Sequence, residues 1–251
     1  MIRNWIFPLL FFFLFIFVRP IFSASGVVDD FREANQLYRD GKYDEAAKAY
    51  EGIAKSKGSF EVYYNLGNAY FKSKKPGLAI LNYERARHLK PRDPDVRSNL
   101  AYANRLIEYK IEDKRNWYVR KIDSFLHLVT FQECWVSVLG AYFIFVVGLL
   151  ISLIRRKQPM FGRSGALGLV FVIFCSFPLF LKYGEYGAGR PGIVTEAQVE
   201  VRYGPSSSDR IAFRLVEGLE VSLHDEKQDW YRIQLKDGRS GWASQSQVTP
   251  I

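Results

Sequence analysis

The side chains best able to ligate a metal or attack a substrate are few: three histidines, His88, His127 and His224, and two cysteines, Cys134 and Cys175. The three histidines lie far apart in the chain. No Ser/His/Asp set or HExxH pair can be assembled from neighbouring residues, and no phosphate-binding GxxxxGK loop occurs. Both cysteines sit inside long apolar runs without CxxC or CxxH spacing, so neither a disulfide framework nor a zinc site is indicated. Thiols placed in lipid are also poorly situated for redox chemistry, which needs an accessible thiolate. The expectation is a non-enzymatic protein with no catalytic residue, no cofactor and no metal. Lys and Arg number 35 against 26 Asp and Glu, a formal charge of +9, and the basic residues are scattered. A solvated surface facing anionic lipid or wall polymer accounts for this better than a nucleic-acid groove.

What the chain offers in place of catalytic groups is recognition chemistry, aromatic and amide side chains recurring at helical spacing. The segment YYNLGNAYFKSKKPGLAILNYERARHLKP, Tyr63 to Pro91, carries Leu66, Gly67, Tyr70, Ala79, Tyr83, Ala86 and Pro91. Upstream, FREANQLYRDGKYDEAAKAY supplies Ala34, Leu37, Gly41, Tyr43, Ala46 and Tyr50, with Ala46 and Tyr50 falling 33 residues before Ala79 and Tyr83. These spacings resemble the tetratricopeptide repeat, twice over, the first copy looser. Small Gly67 and Ala79 let paired helices approach while Tyr70 and Tyr83 fill the space between them. A further helix beginning at Pro94 places Leu100, Ala103, Leu106 and Ile107 on one stripe and reads as a cap. Two repeats and a cap fall short of the three usually needed for stability, so support from a membrane or partner is expected.

The first helix of each pair lines the concave groove of such a stack. Some tetratricopeptide domains grip a C-terminal carboxylate with a Lys, Asn, Asn, Lys, Arg set; here Asn35 and Asn65 match, but Phe31, Asp95 and Asn99 replace the cations. That clamp is not expected. The groove offers Phe31, Asn35, Tyr38, Tyr64, Asn65, Asn68 and Phe71, a lining suited to an extended or helical protein segment. Packing within the stack explains the same residues equally well. On the groove reading, Tyr64 and Asn68 lie on the concave face, and their replacement leaves the fold intact.

From Ile193 the pattern changes to short alternating runs. VEVRYGPSSS at Val199 to Ser208, VEGLEV at Val216 to Val221, DWYRIQL at Asp229 to Leu235 and DGRSGWAS at Asp237 to Ser244 resemble a bacterial SH3 domain in the right order. Tyr231, Ile233 and Leu235 alternate with Trp230, Arg232 and Gln234, so one face is buried, and Asp237-Gly238 signals a hairpin turn. Trp242 is expected at the core edge. Arg202, Tyr203 and Trp230 are the candidates for a shallow recognition groove, with edge packing of Trp230 as the competing reading.

Three apolar runs complete the chain. Trp5 to Val18, uncharged, follows Arg3 and precedes Arg19-Pro20 and a small-residue tail, the pattern of a secretory signal peptide, with an uncleaved anchor as the alternative. Trp135 to Ile154 and Gly165 to Leu181 are long enough to span a ~30 Å hydrocarbon core, and the joining segment carries four basic residues, which places it in the cytoplasm. Two buried helices of a soluble domain are the alternative. Before the first span, Val119, Ile122, Phe125, Leu126 and Val129 share a helical face, as in an interfacial helix, and Thr130 with Glu133 has capping-box spacing.

The expected organisation is a multidomain membrane protein: a signal peptide over residues 1–25, all-α tetratricopeptide helical repeats with a cap over 27–112, and an interfacial segment over 113–134. A two-helix transmembrane hairpin follows over 135–154 and 165–181 around a cytoplasmic loop at 155–164, then a linker over 182–192 and a small all-β SH3-like barrel over 193–251. The two soluble modules are expected to be independent and to lie on the periplasmic side of the bacterial inner membrane. This order of parts resembles the BatE-type members of the Bacteroides aerotolerance family over nearly the whole chain. The resemblance implies membrane proteins with von Willebrand factor A domains and a MoxR-type ATPase system as partners, beside membrane lipid. Nothing in these residues detoxifies oxygen, so a role in aerotolerance would be indirect. Three function classes stay open: a scaffold binding partner proteins through the repeats, a module docking on peptidoglycan through the barrel, and an accessory subunit of a wall enzyme. Nucleic acid is not an expected partner.

Overall fold

The computed structural model describes residues 25–107, 111–155, 163–187 and 189–251; the expected signal peptide and most of the cytoplasmic loop lie outside them. Helices α1 (Ser25–Arg39), α2 (Tyr43–Ser56), α3 (Phe60–Lys72), α4 (Pro76–Leu89) and α5 (Pro94–Leu106) form the repeat stack. Local signals set their starts. Ser59 accepts a hydrogen bond from the Val62 amide at 3.3 Å, and Asp93 caps α5 by accepting from the Asp95 and Val96 amides, each at 3.1 Å. Pro76 and Pro94 occupy first-turn positions where no amide is needed. Ala34, Ala46, Ala69, Ala79 and Ala86 are fully buried, and Tyr50 and Tyr83 fill the gaps that these small residues leave. In α5, Leu100 and Ala103 are buried as expected, but Leu106 is exposed, because the chain leaves the helix there and Ile107 turns inward instead.

Helix α6 (Trp117–Leu126) precedes two long helices, α7 (Phe131–Arg155) and α8 (Arg163–Gly187). The expected capping box starts α7: the Thr130 amide donates to the Glu133 carboxylate at 2.8 Å, and the Glu133 amide donates to Thr130 Oγ1 at 3.1 Å. Phe131–Leu150 and Ala166–Tyr183 are long and apolar enough to cross a membrane, and the protein itself buries 11% and 0% of them. Helices so apolar and so bare do not fit the interior of a soluble domain. They pack on each other, with Gly168 set against the Phe145 ring.

Strands β1 (Arg190–Val194), β2 (Gln198–Arg202), β3 (Ile211–Val216), β4 (Glu220–Lys227), β5 (Trp230–Gln234), β6 (Ser240–Ser244) and β7 (Val248–Pro250) pair antiparallel in the order β3-β2-β6-β5-β4-β1-β7. Every strand adds to one core, including Val194, Val199, Leu215, Val221, Ile233 and Val248, so the sheet curls around it as an SH3-like domain. Since α8 runs to Gly187 and β1 begins at Arg190, most of the segment read as a linker is helix and strand. Its glycines mark the change of direction and give no long free tether.

The modules are not independent, contrary to expectation. Ile193 of β1, 1% exposed, belongs to the repeat core, and Ile251 packs beside it. Arg85 of α4 donates to the Pro250 carbonyl at 2.9 Å, and the Gly77 amide at the start of α4 donates to the Glu217 carboxylate at 3.2 Å. Gly218 has φ +82, and a Cβ there would stand 2.8 Å from Ile107 and 2.9 Å from Ile80, so only glycine allows this approach. Helix α4 is therefore buried on several sides, repeats on one and barrel on another. The barrel supplies the support that a two-repeat stack lacks.

Gly67→Ala tests the repeat packing. The new Cβ would meet the Tyr83 ring at 2.6 Å, and Tyr83 is buried with its hydroxyl bonded, so it cannot swing aside. A helix-propensity gain of about 1 kcal/mol should be outweighed by overpacking of about 1–3 kcal/mol. Chemical denaturation of the detergent-solubilised chain should show net destabilisation, with barrel and repeats unfolding together; a more stable variant would contradict the α3–α4 contact.

Candidate functional site

Two surfaces carry the side chains that recognition would use. The first is the face shared by α1, α3 and α5. Asn35 Oδ1 accepts from the Tyr50 hydroxyl at 2.7 Å and from Asn65 Nδ2 at 3.2 Å. One repeat later the same arrangement recurs: Asn68 Oδ1 accepts from the Tyr83 hydroxyl at 2.7 Å and from Asn99 Nδ2 at 3.0 Å. Asn99 also donates to the Tyr64 hydroxyl at 3.2 Å. Burial pushes the Tyr50 phenol up to about 12 and raises Tyr83 as well, so both stay neutral donors to their asparagines. Asn35 and Asn68 thus act between helices as well as on the groove. This corrects the expectation that Asn68 could be removed without cost to the fold.

The aromatic members divide in the same way. Phe31 meets Tyr50 edge-on at 5.8 Å, and Tyr38 meets Tyr43 at 5.2 Å. Tyr64 stacks on Phe60 with ring centres 6.1 Å apart, and Lys90 Nζ lies 4.0 Å from the Phe60 ring centre. Phe71, half-buried, meets Tyr102 of α5 at 5.6 Å, and Tyr102 is 56% exposed. Tyr102 and Asn99 were not singled out in the sequence as groove residues. The signal was available, since α5 stands where a third repeat's first helix would, but reading α5 only as a cap hid its outward face. Asn35 and Asn65 bond each other, and the positions of the missing clamp cations hold Phe31, Asp95 and Asn99.

The second surface is the outer face of β2, β5 and β6. A depression of about 520 Å³ is lined by Gln198, Glu200, Arg202, Arg214, Trp230 and Ser244, among others. Glu200 holds both guanidinium groups, Arg202 at 2.7 Å and Arg214 at 3.4 Å, while Arg202 also donates to the Asp209 carbonyl at 2.6 Å. Trp230 and Arg202 therefore share one concavity. Tyr203 does not line it and stands 72% exposed. Trp242 is not at the core edge: Gly241 and Ala243 point inward, and Trp242 lies outward beside its cross-strand partners Arg202 and Arg232.

The histidines and cysteines form no single constellation among the described residues. His88 is exposed on α4, His127 pairs with Asp123 at 3.3 Å, and His224 is exposed on β4. Cys134 and Cys175 are free thiols. Among the described residues no group of three or more His, Cys, Asp or Glu is placed to hold a metal ion.

Comparison with protein families places a tetratricopeptide repeat over residues 31–95 and a bacterial SH3 domain over residues 195–250. The search of curated proteins returned no significant match. Both matched modules are typically non-catalytic binding units: the repeats suggest protein partners, and the barrel suggests cell-wall binding.

Asn68→Ala should cost about 1–3 kcal/mol, because it leaves the buried Tyr83 hydroxyl without its acceptor. Adding Tyr83→Phe, which removes the orphaned donor, should recover part of that loss in a double-mutant cycle measured by urea denaturation. A change of less than about 0.5 kcal/mol for Asn68→Ala alone would show that the amide ladder does not hold the stack.

Proposed function

We propose that this chain is a membrane-anchored, non-catalytic scaffold of the bacterial envelope, of the BatE type within the Bacteroides aerotolerance family, that captures partner proteins on its repeat groove. The observation that carries the reading is the aromatic pair Phe71 and Tyr102 between α3 and α5, the latter largely exposed. The asparagines spend their strongest acceptors on the stack, so the binding energy falls to the aromatic faces, with Tyr38 and Tyr64 continuing the strip. Exposed aromatic rings on a rigid support are the usual source of hot-spot energy. On the family resemblance the partners are membrane proteins with von Willebrand factor A domains and a MoxR-type ATPase system. An oxygen-tolerance role then lies in the assembly of such complexes.

Location follows from the same parts. The contact between repeats and barrel requires both on one side of any membrane that α7 and α8 cross, which supports an even number of crossings between them. A cytoplasmic loop at 155–164 and a signal peptide at 1–25 put that side outside the inner membrane. A second reading is favoured by the depression around Trp230, Arg202 and Arg214: an aromatic ring beside two guanidinium groups that share the single Glu200 carboxylate keeps a net positive charge suited to a carboxylate-bearing wall peptide, so the barrel would dock on peptidoglycan. An accessory role beside a wall enzyme would use the same surface.

The two readings separate experimentally. The full chain, produced with a von Willebrand factor A-domain membrane protein and solubilised in mild detergent, should lose about tenfold in co-purification when Phe71→Ala and Tyr102→Ala are combined, a loss of ~1.4 kcal/mol. Trp230→Ala should leave this capture unchanged. If instead Trp230→Ala abolishes retention on purified wall sacculi while the groove variant alters nothing, the scaffold reading is wrong and the wall reading stands.

A further inference from the structure

Between the repeat–barrel body and the first apolar helix lies α6, and its two sides face different surroundings. Val119 and Leu126, seven residues apart and so on one face, are turned inward, with Leu126 buried. Asp123 is held beside them: it pairs with Arg115 at 3.0 Å and with His127 at 3.3 Å. The neighbouring face presents Tyr118, Ile122 and Phe125, spaced four and three residues apart, and all three are exposed, Phe125 at 51%. Three exposed apolar side chains in a row on a ten-residue helix have no covering partner among the described residues.

Continuity and charge identify what covers them. Only four residues separate Leu126 from Phe131, where the apolar stretch of α7 begins, and α6 packs against α8. The helix is thus tethered to the mouth of the apolar pair, where Trp135 and Tyr183 are also exposed. Lys114, Arg120 and Lys121 are exposed in the same stretch, while of its acids Asp113 and Asp123 are engaged by Arg115 and Glu112 alone is exposed, which leaves the stretch net basic. Aromatic and aliphatic groups flanked by free-standing basic residues match the acyl–headgroup boundary of an anionic bilayer.

We infer that α6 is a lipid-binding element, seating Tyr118, Ile122 and Phe125 at the headgroup level of anionic phospholipid and so fixing the height of the repeat–barrel body above the membrane. The inference rests on α7 and α8 being membrane spans and is independent of what the groove binds. A peripheral body held this way cannot tumble on its tether, so groove and barrel face keep constant orientations to the bilayer.

The test uses the full chain with Cys134→Ala and Cys175→Ala, carrying one nitroxide label at Phe125→Cys, Ile122→Cys or Leu139→Cys, in nanodiscs of phosphatidylcholine with or without phosphatidylglycerol. In the anionic discs, collision with oxygen should exceed collision with a water-soluble nickel chelate several-fold at Phe125 and Ile122, at a shallower depth than at Leu139. Removing phosphatidylglycerol, or adding Arg120→Glu and Lys121→Glu, should shift both α6 labels toward water. Water-like collision at the α6 labels with a buried Leu139 label would overturn the proposal. A water-like Leu139 label would overturn the membrane reading beneath it. Dipolar broadening between α6 labels, showing a second copy against this face, would overturn it too, as would insensitivity to phosphatidylglycerol. Two α6 sites are labelled so that misfolding of one variant, checked by circular dichroism, leaves the other decisive.

Discussion

The structure depends on a single long-range contact: β1 of the barrel pushes Ile193 into the hydrophobic core of the repeats, with Ile251 beside it and Ile107 touching both cores. A two-repeat solenoid with one capping helix leaves α4 with a further apolar side that α5 does not cover. Full burial of one isoleucine stabilises by roughly 1.5–3 kcal/mol. The polar contacts from Arg85 to Pro250 and from Gly77 to Glu217 fix the register of that insertion more than they add to its strength. Close approach is possible because Gly77 and Gly218 carry no side chain at the seam. Glu84 lies on this helix as well, nearly fully buried; burial raises its carboxyl, and Arg87, donating at 2.7 Å, offsets the cost.

This contact is also what gives the membrane helices their meaning. Residues 111–187 leave the repeats, run through α6, α7 and α8, and return to within reach of α4 at β1. Two apolar helices that leave one body and return to it form a pair whose length and composition suit a membrane hairpin. The two candidate surfaces then belong to one docked body, so if a partner is held on the aromatic strip and a wall polymer at Trp230 they are presented at a constant separation. Multivalent binding on a rigid frame raises effective concentration without new contacts.

Much of this was legible in the residues, for reasons that differ from part to part. Repeat spacing specifies helix pairs because Gly67 and Ala79 can only be explained by close helix approach. Thr130 and Glu133 announce the start of α7 because their bonds are local. Alternation at Trp230 to Leu235 separated core from surface correctly, since period two is a property of the strand itself. What failed was long-range. Nothing local reveals that Ile193 serves the repeat core, or that the glycine-rich stretch before it is helix end and strand start. Asn68 looked like a free groove amide because the hydroxyl that donates to it, on Tyr83, is fifteen residues away on the other helix of the pair. Trp242 was misplaced because the inward positions beside it are Gly241 and Ala243, too small to stand out as a core pattern.

The claim that repeats and barrel are one body is tested most directly by a distance between them in the membrane-embedded chain. With Cys134→Ala and Cys175→Ala, nitroxides at Ser98→Cys on α5 and Ser246→Cys in the barrel can be measured by double electron–electron resonance in nanodiscs. Both positions are exposed, so labelling should not disturb either core. The docking through Ile193 predicts a single narrow distance distribution that broadens when Ile193→Asp is introduced. A broad distribution in the otherwise unmodified body, unchanged by that substitution, would mean that the modules move independently and that the contact on which the account rests does not form.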